Sequence, residues 1–228
     1  MIKSCVILSE KSWHKDLFLS LDTEFKEIKW TLIDNKFDFS DKFLSKLNPD
    51  IIFIPHWSFI ISDEIFNKFK CIVFHMTDLP YGRGGSPLQN LIIRGHKKTK
   101  ISAIKVSNGI DTGDVYLKSE LDLSGSAKEI FIRSSLVIYN MISEILTTNP
   151  KPIPQTGEIT NFKRRTPSQG SVINLKNLNE VYDFIRMLDC DGYPNAFIET
   201  SNLKFEFKNA KFDVNNNLID ANVRIFKK

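Results

Sequence analysis

Hydrophobic positions in the first two-thirds of the chain follow two different spacings that alternate along the sequence. Short continuous apolar runs are typical of buried strands, and the stretches between them repeat with the period of an amphipathic helix. The predicted strands are Ser4–Leu8, Ile28–Ile33, Asp50–Ile54 and Cys71–His75, and the predicted helices are Lys11–Leu21, Ser40–Leu47 and Ser62–Phe69. This alternation predicts an α/β fold with a mostly parallel sheet that carries helices on its faces.

The same pattern continues beyond the fourth strand. The third helix opens with Ser62-Asp63-Glu64, a capping signature, and Ser86 followed by Pro87 predicts the N-cap and first residue of a helix that ends near Gly95. The later runs predict strands at Lys100–Val106 and Val115–Leu123 and a long helix at Ala127–Leu146.

The composition changes after this long helix. The segment Asn149–Gly157 contains three prolines and is predicted to be an extended strap over the surface. Beyond it we predict a helix at about Asn177–Leu188 and three strands at Ala196–Glu199, Lys204–Phe207 and Asn222–Phe226. We therefore expect a main domain at 1–148, an extended linker at 149–161 and a small β-rich α+β subdomain at 162–228. That subdomain is too small to bury much core alone.

The composition of the 228 residues, 42% apolar and 25% charged, favours a folded globular protein. Lysine and arginine number 31 against 27 aspartates and glutamates, and the excess is scattered along the chain. This small excess is weak evidence for a nucleic-acid partner and modest evidence for a small anionic substrate. A solvated lysine-rich surface explains most of it.

The cysteines and the chain's apolar segments indicate a cellular compartment. Cys5, Cys71 and Cys190 lack the spacing of metal ligands, so we expect buried free thiols in a reducing environment. The apolar stretch at the N-terminus is too short for a signal peptide, and no run approaches the ~20 apolar residues of a membrane helix. We therefore expect a cytoplasmic protein without a membrane partner.

The most informative histidine is His75, which ends the strand-like run Lys70–His75. Ligands of open α/β sheets bind beyond the carboxyl ends of the strands, so this position favours a functional imidazole. A hydrogen-bonded histidine with no function is the alternative. Of the other histidines, His14 and His96 are predicted on polar surface, and His56 ends the preceding strand.

A carboxylate lies in the loop Ser107–Asp114, between two predicted strands. The Asp111-Thr-Gly113 sequence is by itself more typical of a tight turn than of catalysis. Two loops at one sheet edge nevertheless bring Asp111 within reach of His75, where it would tune the imidazole and determine its tautomer.

Two further segments suit anions. Gly82-Arg-Gly-Gly-Ser86 leads into a helix N-terminus and offers unpaired backbone N–H groups to a phosphate, a carboxylate or an oxyanion. The alternative is an ordinary flexible loop with a cap. Lys163-Arg164-Arg165 is either an anion clamp or a solvated charge run.

Together these residues resemble the folate-dependent formyltransferase family. Its signature has a strand ending in Asn-x-His, a proline five residues later, Arg-Gly, a further proline and an Asp-x-Gly loop. The matching positions are His75, Pro80, Arg83-Gly84, Pro87 and Asp111-Thr-Gly113. The segments Phe162–Pro167, Ile185–Leu188 and Gly192–Phe197 resemble the C-terminal part of the sugar-nucleotide N-formyltransferases.

The resemblance implies a Rossmann-like catalytic domain and a formyl transfer from N10-formyltetrahydrofolate to an amine, with no metal. It implies His75 as general base or oxyanion partner and Asp111 as the group that orients it. The apolar segment with Trp57, Ile60 and Ile61 would line the pterin pocket. Backbone groups of a second segment would also line this pocket, namely those of Asn108, Gly109, Ile110 and Asp111.

One position departs from the family signature. The family's asparagine, two residues before the histidine, is Val73 here. Losing one such donor costs ~10²–10³ in rate unless another group replaces it. Gln89, Asn90 or backbone N–H groups of Gly84–Ser86 are candidates, and we assign Gln89 to the catalytic set. The alternative is a binding module without activity.

We compare three possible acceptors of the formyl group, each used by a different branch of the family. Leu8–Trp13 lacks the glycines of the glycinamide ribonucleotide enzymes, and the short C-terminal segment and mild basicity disfavour tRNA. We therefore expect a nucleotide-linked amino sugar, as in O-antigen or flagellar-glycan synthesis, and no nucleic acid. The alternative is a methionyl-tRNA-type or other amine formyltransferase.

Several residues are assigned to this expected acceptor. Arg164 and Arg165 would pair with a pyrophosphate, since guanidinium groups suit phosphate oxygens. Tyr81, Phe162 or Tyr193 would stack on a base, and Arg83 completes the substrate set. The resemblance also allows a homodimer.

Overall fold

The computed structural model describes residues 2–228. The strands are β1 Ser4–Ser9, β2 Lys29–Ile33, β3 Ile51–His56, β4 Cys71–His75, β5 Arg83–Gly84, β6 Lys98–Lys105, β7 Val115–Asp122, β8 Asn161–Phe162, β9 Ala196–Glu199, β10 Leu203–Asp213 and β11 Leu218–Lys227. The helices are α1 Lys15–Glu24, α2 Asp41–Leu47, α3 Asp63–Lys68, α4 Pro87–Ile93, α5 Ala127–Thr148 and α6 Leu178–Arg186. Short 3-10 turns lie at Ser12–His14 and Pro167–Gly170.

The main sheet has six strands in the order β2-β1-β3-β4-β6-β7. β1 pairs in parallel with β2 and β3, and β3 pairs in parallel with β4, whereas β6 runs antiparallel to β4. The predicted α/β fold with a mostly parallel sheet is confirmed. A parallel arrangement brings the carboxyl ends of β1, β3 and β4, and therefore Ser9, His56 and His75, to one edge of the sheet.

The central strands β1, β3 and β4 are buried on both faces, as their continuous apolar sequences predict. A core cluster joins residues from the first four strands and their helices, namely Val6, Leu8, Ile33, Leu44, Ile52, Ile54, Ile65, Phe69 and Cys71. Cys5, Cys71 and Cys190 are buried, as expected, and burial raises the pKa of the Cys5 and Cys71 thiols to about 12.

Helix α1 begins later than its apolar pattern predicts, because a 3-10 turn at Ser12–His14 precedes it. The turn directs His14 inward, and its Nδ1 atom lies 2.7 Å from Ser9 Oγ. The expectation that His14 lies on a polar surface was wrong, since only 2% of it is exposed. Burial lowers the pKa of this imidazole to about 3, so it is a neutral part of the interior.

Helix α5 is longer than predicted and starts with a capping box. Ser126 Oγ accepts a hydrogen bond from the N–H of Glu129, whose carboxylate accepts the N–H of Ser126. Buried side chains recur with helical spacing along one face, at Ile138, Met141, Ile142 and Ile145.

The same helix bears on the expectation about membranes. By length and composition, α5 is long and apolar enough to cross a membrane. The core helix of a globular protein meets the same criteria, and 44% of the most apolar stretch of α5 is buried inside the chain. The cytoplasmic location stays a prediction.

The chain divides into two compact units. The first contains residues up to Gly84, Thr99–Leu121 and Ile132–Asn161, and it holds nearly all of the six-stranded sheet. The second contains Gly85–Lys98, Asp122–Phe131 and Phe162–Lys228. The expected boundary between 161 and 162 coincides with a boundary of these units, and the expected linker belongs to the first unit. The second unit therefore combines the C-terminal part with two internal segments, Gly85–Lys98 and Asp122–Phe131.

The second unit is built around a three-stranded antiparallel sheet in the order β11-β10-β9. Strands β10 and β11 extend several residues beyond the short runs predicted from the sequence. Helix α6 packs on this sheet, with the Tyr182 ring 5.7 Å from the Phe212 ring. Arg186, 5% exposed, donates hydrogen bonds to the carbonyl oxygens of Leu123 and Gly125.

Ser40 and Ser62 both precede helices, but only Ser40 caps its helix with a side-chain hydrogen bond. Ser40 Oγ accepts the N–H of Phe43 at the start of α2. Ser62 precedes α3 but makes no capping hydrogen bond with its side chain, so the capping signature at Ser62 predicted the helix start and not the bond. Ser86 precedes α4 in a left-handed conformation, also without a capping bond, and its hydroxyl instead accepts the N–H of Arg165.

We expect Ser40→Ala to lower the free energy of unfolding by about 1 kcal/mol, because it removes a capping acceptor. The melting temperature should fall by roughly 2–4 °C in a chain of this size. Ser62→Ala is the matched control and should change the stability by less than ~0.5 kcal/mol. Urea unfolding of the three proteins measures both values, and equal losses in the two variants would contradict the assigned caps.

Candidate active site

The site begins at the carboxyl end of β4, where His75 is the last residue of the strand. Alternate residues of a strand share a face, so Val73 and His75 point to the same side of the sheet. His75 is buried, whereas Val73 is half-buried and packs against Leu79, Ile104 and Val115. A side chain at position 73 therefore lies beside the imidazole, and here it is a hydrocarbon.

The imidazole of His75 has its tautomer determined by a backbone carbonyl. Its Nε2 atom lies 2.8 Å from the carbonyl oxygen of Gly82, which also accepts the hydroxyl of Thr77. Because a carbonyl oxygen only accepts, Nε2 carries the hydrogen. The other ring nitrogen, Nδ1, therefore carries no hydrogen in the neutral ring.

The carboxylate of Asp111 faces that second nitrogen. Its Oδ2 atom lies 3.4 Å from His75 Nδ1 and accepts the N–H of Gly84 at 2.8 Å. Asp111 adopts a left-handed backbone conformation, with φ of 54°. The structure thus brings together the two groups that the sequence assigned to one site, and Gly84 joins them.

Sequence reasoning missed Gln155, which holds the Asp111 loop in place. Its Nε2 atom donates to the carbonyl oxygens of Asp111 and Gly113, at 2.9 and 2.8 Å. Its Oε1 atom accepts two hydrogen bonds from the guanidinium of Arg83, at 3.2 and 2.8 Å. One amide therefore links two loops that are far apart in sequence.

The strap positions this amide. Ile153 and Val115 exchange two backbone hydrogen bonds, at 2.8 and 2.9 Å, which pairs the strap with the start of β7. Gln155 follows two residues later and so lies beside the loop that leads into β7. The sequence gives little indication of the role of Gln155, since this residue is a single long polar side chain among prolines.

Gly113 has a close neighbour that explains the Asp-Thr-Gly sequence. A Cβ atom at this position would lie 1.7 Å from the carbonyl oxygen of Lys105, too close for any side chain. The loop therefore packs its backbone directly against the end of β6. The Asp111-Thr-Gly113 sequence is therefore a tight turn, as its residue types predict, and it is also part of the site.

The glycine loop is occupied by internal hydrogen bonds. The N–H groups of Gly82 and Arg83 both donate to the carbonyl oxygen of Thr160. The N–H of Gly84 donates to Asp111, and that of Gly85 to the carbonyl oxygen of Phe162. The expectation of unpaired N–H groups was therefore wrong for all four residues from Gly82 to Gly85, since the carbonyl oxygens of Thr160 and Phe162 and the Asp111 carboxylate accept them.

The two amides considered for the formyl oxygen lie in the second unit. Gln89 is buried, and its Nε2 atom donates to the carbonyl oxygen of Met187 at 3.3 Å. The amide nitrogen of Asn90 donates to three carbonyl oxygens, those of Gly85, Ser86 and Lys163. Both amide groups thus have packing roles, and the catalytic role of Gln89 stays a prediction.

The residues assigned to the pterin pocket all lie in the first unit. Trp57 and Ile61 pack against the core cluster of the main sheet, as does Val106 at the base of the Asp111 loop. Ile60 and Ile110 are 89% and 66% exposed. Asn108 and Gly109 are also exposed, and the carbonyl oxygen of Asn108 accepts the hydroxyl of Thr112.

The aromatic residues assigned to base stacking differ in accessibility. Phe162 is buried, with the Arg94 guanidinium 4.5 Å from its ring centre, so it is not free to stack on a base. Tyr193 stacks on Phe131 with ring centres 5.4 Å apart. Tyr81 is half-buried.

The two arginines assigned to an anion are not equivalent. Arg164 is exposed, whereas Arg165 is half-buried, donates to the carbonyl oxygen of Gln169 and lies over the Phe184 ring. Burial lowers the pKa of Arg165. Within residues 2–228, no group of three or more His, Cys, Asp or Glu side chains is placed to hold a metal ion.

Two family models match this chain. The model described as Formyl transferase matches residues 27–129, and the model described as Methionyl-tRNA formyltransferase, C-terminal domain, matches residues 167–226. The chain is also similar over its full length to a solved methionyl-tRNA formyltransferase from Clostridium thermocellum. The two are 48% identical, each chain is covered completely, and the TM-score is 0.96.

Relatives at greater distance have different lengths and names. The methionyl-tRNA formyltransferase of Rickettsia massiliae is 30% identical over 136 residues, which are 57% of this chain and 45% of that protein. The chain thus spans about half the length of the curated relatives that it matches. A 4-N formyltransferase from Francisella tularensis shares the fold, at 14% identity, a TM-score of 0.67 and coverage of 87% and 93%.

These similarities correct two expectations. The expectation of a nucleotide-linked amino sugar as acceptor was wrong, because the 48% and 30% identical proteins are methionyl-tRNA formyltransferases. The expectation of no nucleic-acid partner was wrong for the same reason. The net charge of the whole chain was an unsuitable criterion, because it averages over surfaces that differ locally. On the full-length similarity at 48% identity, the chain belongs to the formyl transferase family.

Proposed function

We propose that this chain transfers the formyl group of N10-formyltetrahydrofolate to the amino group of methionyl-tRNA. The observation that carries the proposal is the pairing of His75 Nδ1 with Asp111 Oδ2 at 3.4 Å, beyond the carboxyl end of β4. The full-length similarity to a methionyl-tRNA formyltransferase supports the choice of acceptor.

The proposed reaction needs a proton acceptor beside an amine. The amine nitrogen bonds to the formyl carbon to give a tetrahedral intermediate, and the bond from that carbon to folate N10 then breaks. The amine loses one proton and N10 gains one, so tetrahydrofolate leaves without a change in oxidation state. Because the Gly82 carbonyl keeps the hydrogen on Nε2, the Nδ1 atom of His75 is available to move that proton.

Asp111 supports this role through its charge. A protonated His75 carries its new hydrogen on Nδ1, directly toward the Asp111 carboxylate, so the two form an ion pair in a mostly buried place. The N–H of Gly84 and the clamp by Gln155 keep the carboxylate in position before substrate arrives. Such positioning is a large part of what an enzyme contributes to rate.

The distribution of charge supports a tRNA acceptor. The first unit has 16 lysines and arginines against 17 aspartates and glutamates, whereas the second has 15 against 10. The positive excess of the chain thus lies in the second unit, which contains the match to the methionyl-tRNA formyltransferase C-terminal domain. A local excess of positive charge is the electrostatic feature that binds phosphate backbones.

Val73 favours a second candidate function, a folate-binding module without turnover. The family's asparagine at this place is a polar donor, and a valine supplies none. The first function requires another donor for the formyl oxygen, and the second does not. Turnover and folate affinity, measured on one preparation, distinguish them.

We expect the protein to convert methionyl-tRNA to formylmethionyl-tRNA with N10-formyltetrahydrofolate, and His75→Asn and Asp111→Asn to lower kcat by about 10² or more. Both replacements are close in size and remove the ionisable group. Quench-flow or discontinuous assays of formyl transfer measure the rates.

The control for this experiment is folate affinity by calorimetry, together with thermal unfolding of each variant. Unchanged affinity and stability with a lost rate identify the pair as the chemical centre. Near-wild-type rates in either variant would contradict the proposed role. Folate binding without turnover in the wild type would favour the binding module.

We expect Gln155→Glu to lower kcat by about tenfold or more, because a carboxylate repels the carbonyl oxygens of Asp111 and Gly113. Arg83→Met is the matched variant, since it removes the other partner of Gln155 and leaves both carbonyl contacts. Its kcat should stay closer to the wild type. A Gln155→Glu variant with wild-type kcat would contradict a positioning role for this amide.

We expect Arg164→Glu to raise the KM for methionyl-tRNA several-fold without a change in the KM for folate, because Arg164 is exposed in the basic second unit. The slope of log affinity against log salt should fall by about 1. Lys26→Glu, an exposed reversal in the first unit, is the matched control and should leave both values unchanged. Equal effects of the two reversals would contradict a localised tRNA surface.

A further inference from the structure

Two buried hydroxyl groups lie close to His75 in the fold, and the proposed reaction uses neither of them. Thr77 follows the histidine by two residues. Ser102 is the residue of β6 that lies opposite His75 in the register of β4 and β6. Both residues are 0% exposed. Because buried hydroxyl groups form hydrogen bonds, the partners of these two indicate what they hold in place.

Both hydroxyl groups bind the turn that follows β4. Ser102 Oγ donates to the carbonyl oxygen of Thr77 at 2.7 Å and accepts the N–H of Leu79 at 3.2 Å. The hydroxyl of Thr77 donates in its turn to the carbonyl oxygen of Gly82, at 3.3 Å. A chain of contacts thus runs from β6 through Thr77 to the carbonyl group that lies 2.8 Å from His75 Nε2.

The position of the Gly82 carbonyl group decides between the two tautomers of the neutral imidazole, which has one N–H to donate. Hydrogen on Nε2 bonds to Gly82 at 2.8 Å, whereas hydrogen on Nδ1 would point to the Asp111 carboxylate at 3.4 Å. The carboxylate is intrinsically the stronger acceptor, because hydrogen bonds to ionised groups are roughly twice as strong as neutral ones. The Nε2–H tautomer therefore depends on a Gly82 carbonyl group that is held close to the ring.

From this chain of contacts, we propose that Thr77 and Ser102 are positioning residues that keep the hydrogen of His75 on Nε2. The carbonyl oxygen of Gly82 has two lone pairs, and the imidazole and the Thr77 hydroxyl together occupy both. Ser102 holds the backbone of Thr77 to β6. Without these contacts the carbonyl group moves away from the ring, and the hydrogen shifts to Nδ1, where Asp111 accepts it.

The consequence of this tautomer for the rate rests on the proposed function. An imidazole with its hydrogen on Nδ1 has no lone pair at that atom, so it does not accept the proton that the amine loses. Only the fraction of molecules with hydrogen on Nε2 then carries out the transfer. Thr77 and Ser102 thus act on kcat through His75, and the KM for folate stays unchanged.

NMR of the full chain with isotope-labelled histidine measures the tautomer without any substrate. In a neutral ring the nitrogen that carries hydrogen has the smaller nitrogen chemical shift, and spectra at alkaline pH record this form. The His75→Asn variant assigns the signals, because it lacks those of position 75. We expect the wild type to carry its hydrogen on Nε2. Thr77→Val and Ser102→Ala should each lower the ratio of Nε2–H to Nδ1–H about threefold to tenfold, the usual net effect of one hydrogen bond on an equilibrium.

Two variants are matched controls for the NMR measurement. Thr77→Ser keeps the hydroxyl group and should keep the tautomer of the wild type. Ser135→Ala removes another buried hydroxyl group, which donates to the carbonyl oxygen of Trp13. It should lower the melting temperature, as Ser102→Ala does, but leave the signals of His75 in place. The comparison separates a positioning role from a general loss of stability.

Formyl-transfer kinetics give the second measurement. The kcat of Thr77→Val and of Ser102→Ala should fall in proportion to the fraction of molecules that NMR finds with hydrogen on Nε2, and the KM for N10-formyltetrahydrofolate should not change. A wild-type chain without turnover would contradict the proposed function alone, because the tautomer of the free protein still decides the role of the two hydroxyl groups.

Four results would overturn the inference. The first is a wild-type imidazole with its hydrogen on Nδ1, and the second is a wild-type ratio in both Thr77→Val and Ser102→Ala. The third is an equal change of the ratio in Ser135→Ala, which would reduce the effect to destabilisation. The fourth is an active chain in which the ratio falls and kcat does not.

Discussion

The Asp111 carboxylate is the group on which the arrangement of the site depends. One of its oxygens accepts the N–H of Gly84 and faces Nδ1 of His75, so it ties the glycine loop to the end of β4. The backbone of the same residue is held by Gln155. Without that carboxylate, the imidazole would keep its bond to Gly82 but lose its partner at Nδ1.

The geometry is prepared by parts of the chain that take no part in the chemistry. The strap pairs with β7 and thereby delivers Gln155 to the loop, while Gly113 allows that loop to lie against Lys105. Each of these contacts is modest alone, and together they leave one position for the carboxylate.

The second unit carries the positive excess of the chain, with 15 lysines and arginines against 10 aspartates and glutamates. This excess depends on where the charges lie along the chain and not on how many there are. The net charge of the whole chain, +4, conceals it. Whole-chain composition was therefore a poor criterion for a nucleic-acid partner.

The sequence by itself determined the α/β fold and most element positions, and the resemblance to a family assigned His75 and Asp111 to one site. Apolar periodicity is local, so it can be read along the chain. The edge rule for parallel sheets places His75 but not Asp111, because β6, which leads into the Asp111 loop, runs antiparallel to β4. Only the tertiary structure decided the role of Gln155, the engagement of the Gly84 and Gly85 N–H groups and the burial of His14. Each of these depends on contacts between segments far apart in sequence, and no spacing along the chain encodes them.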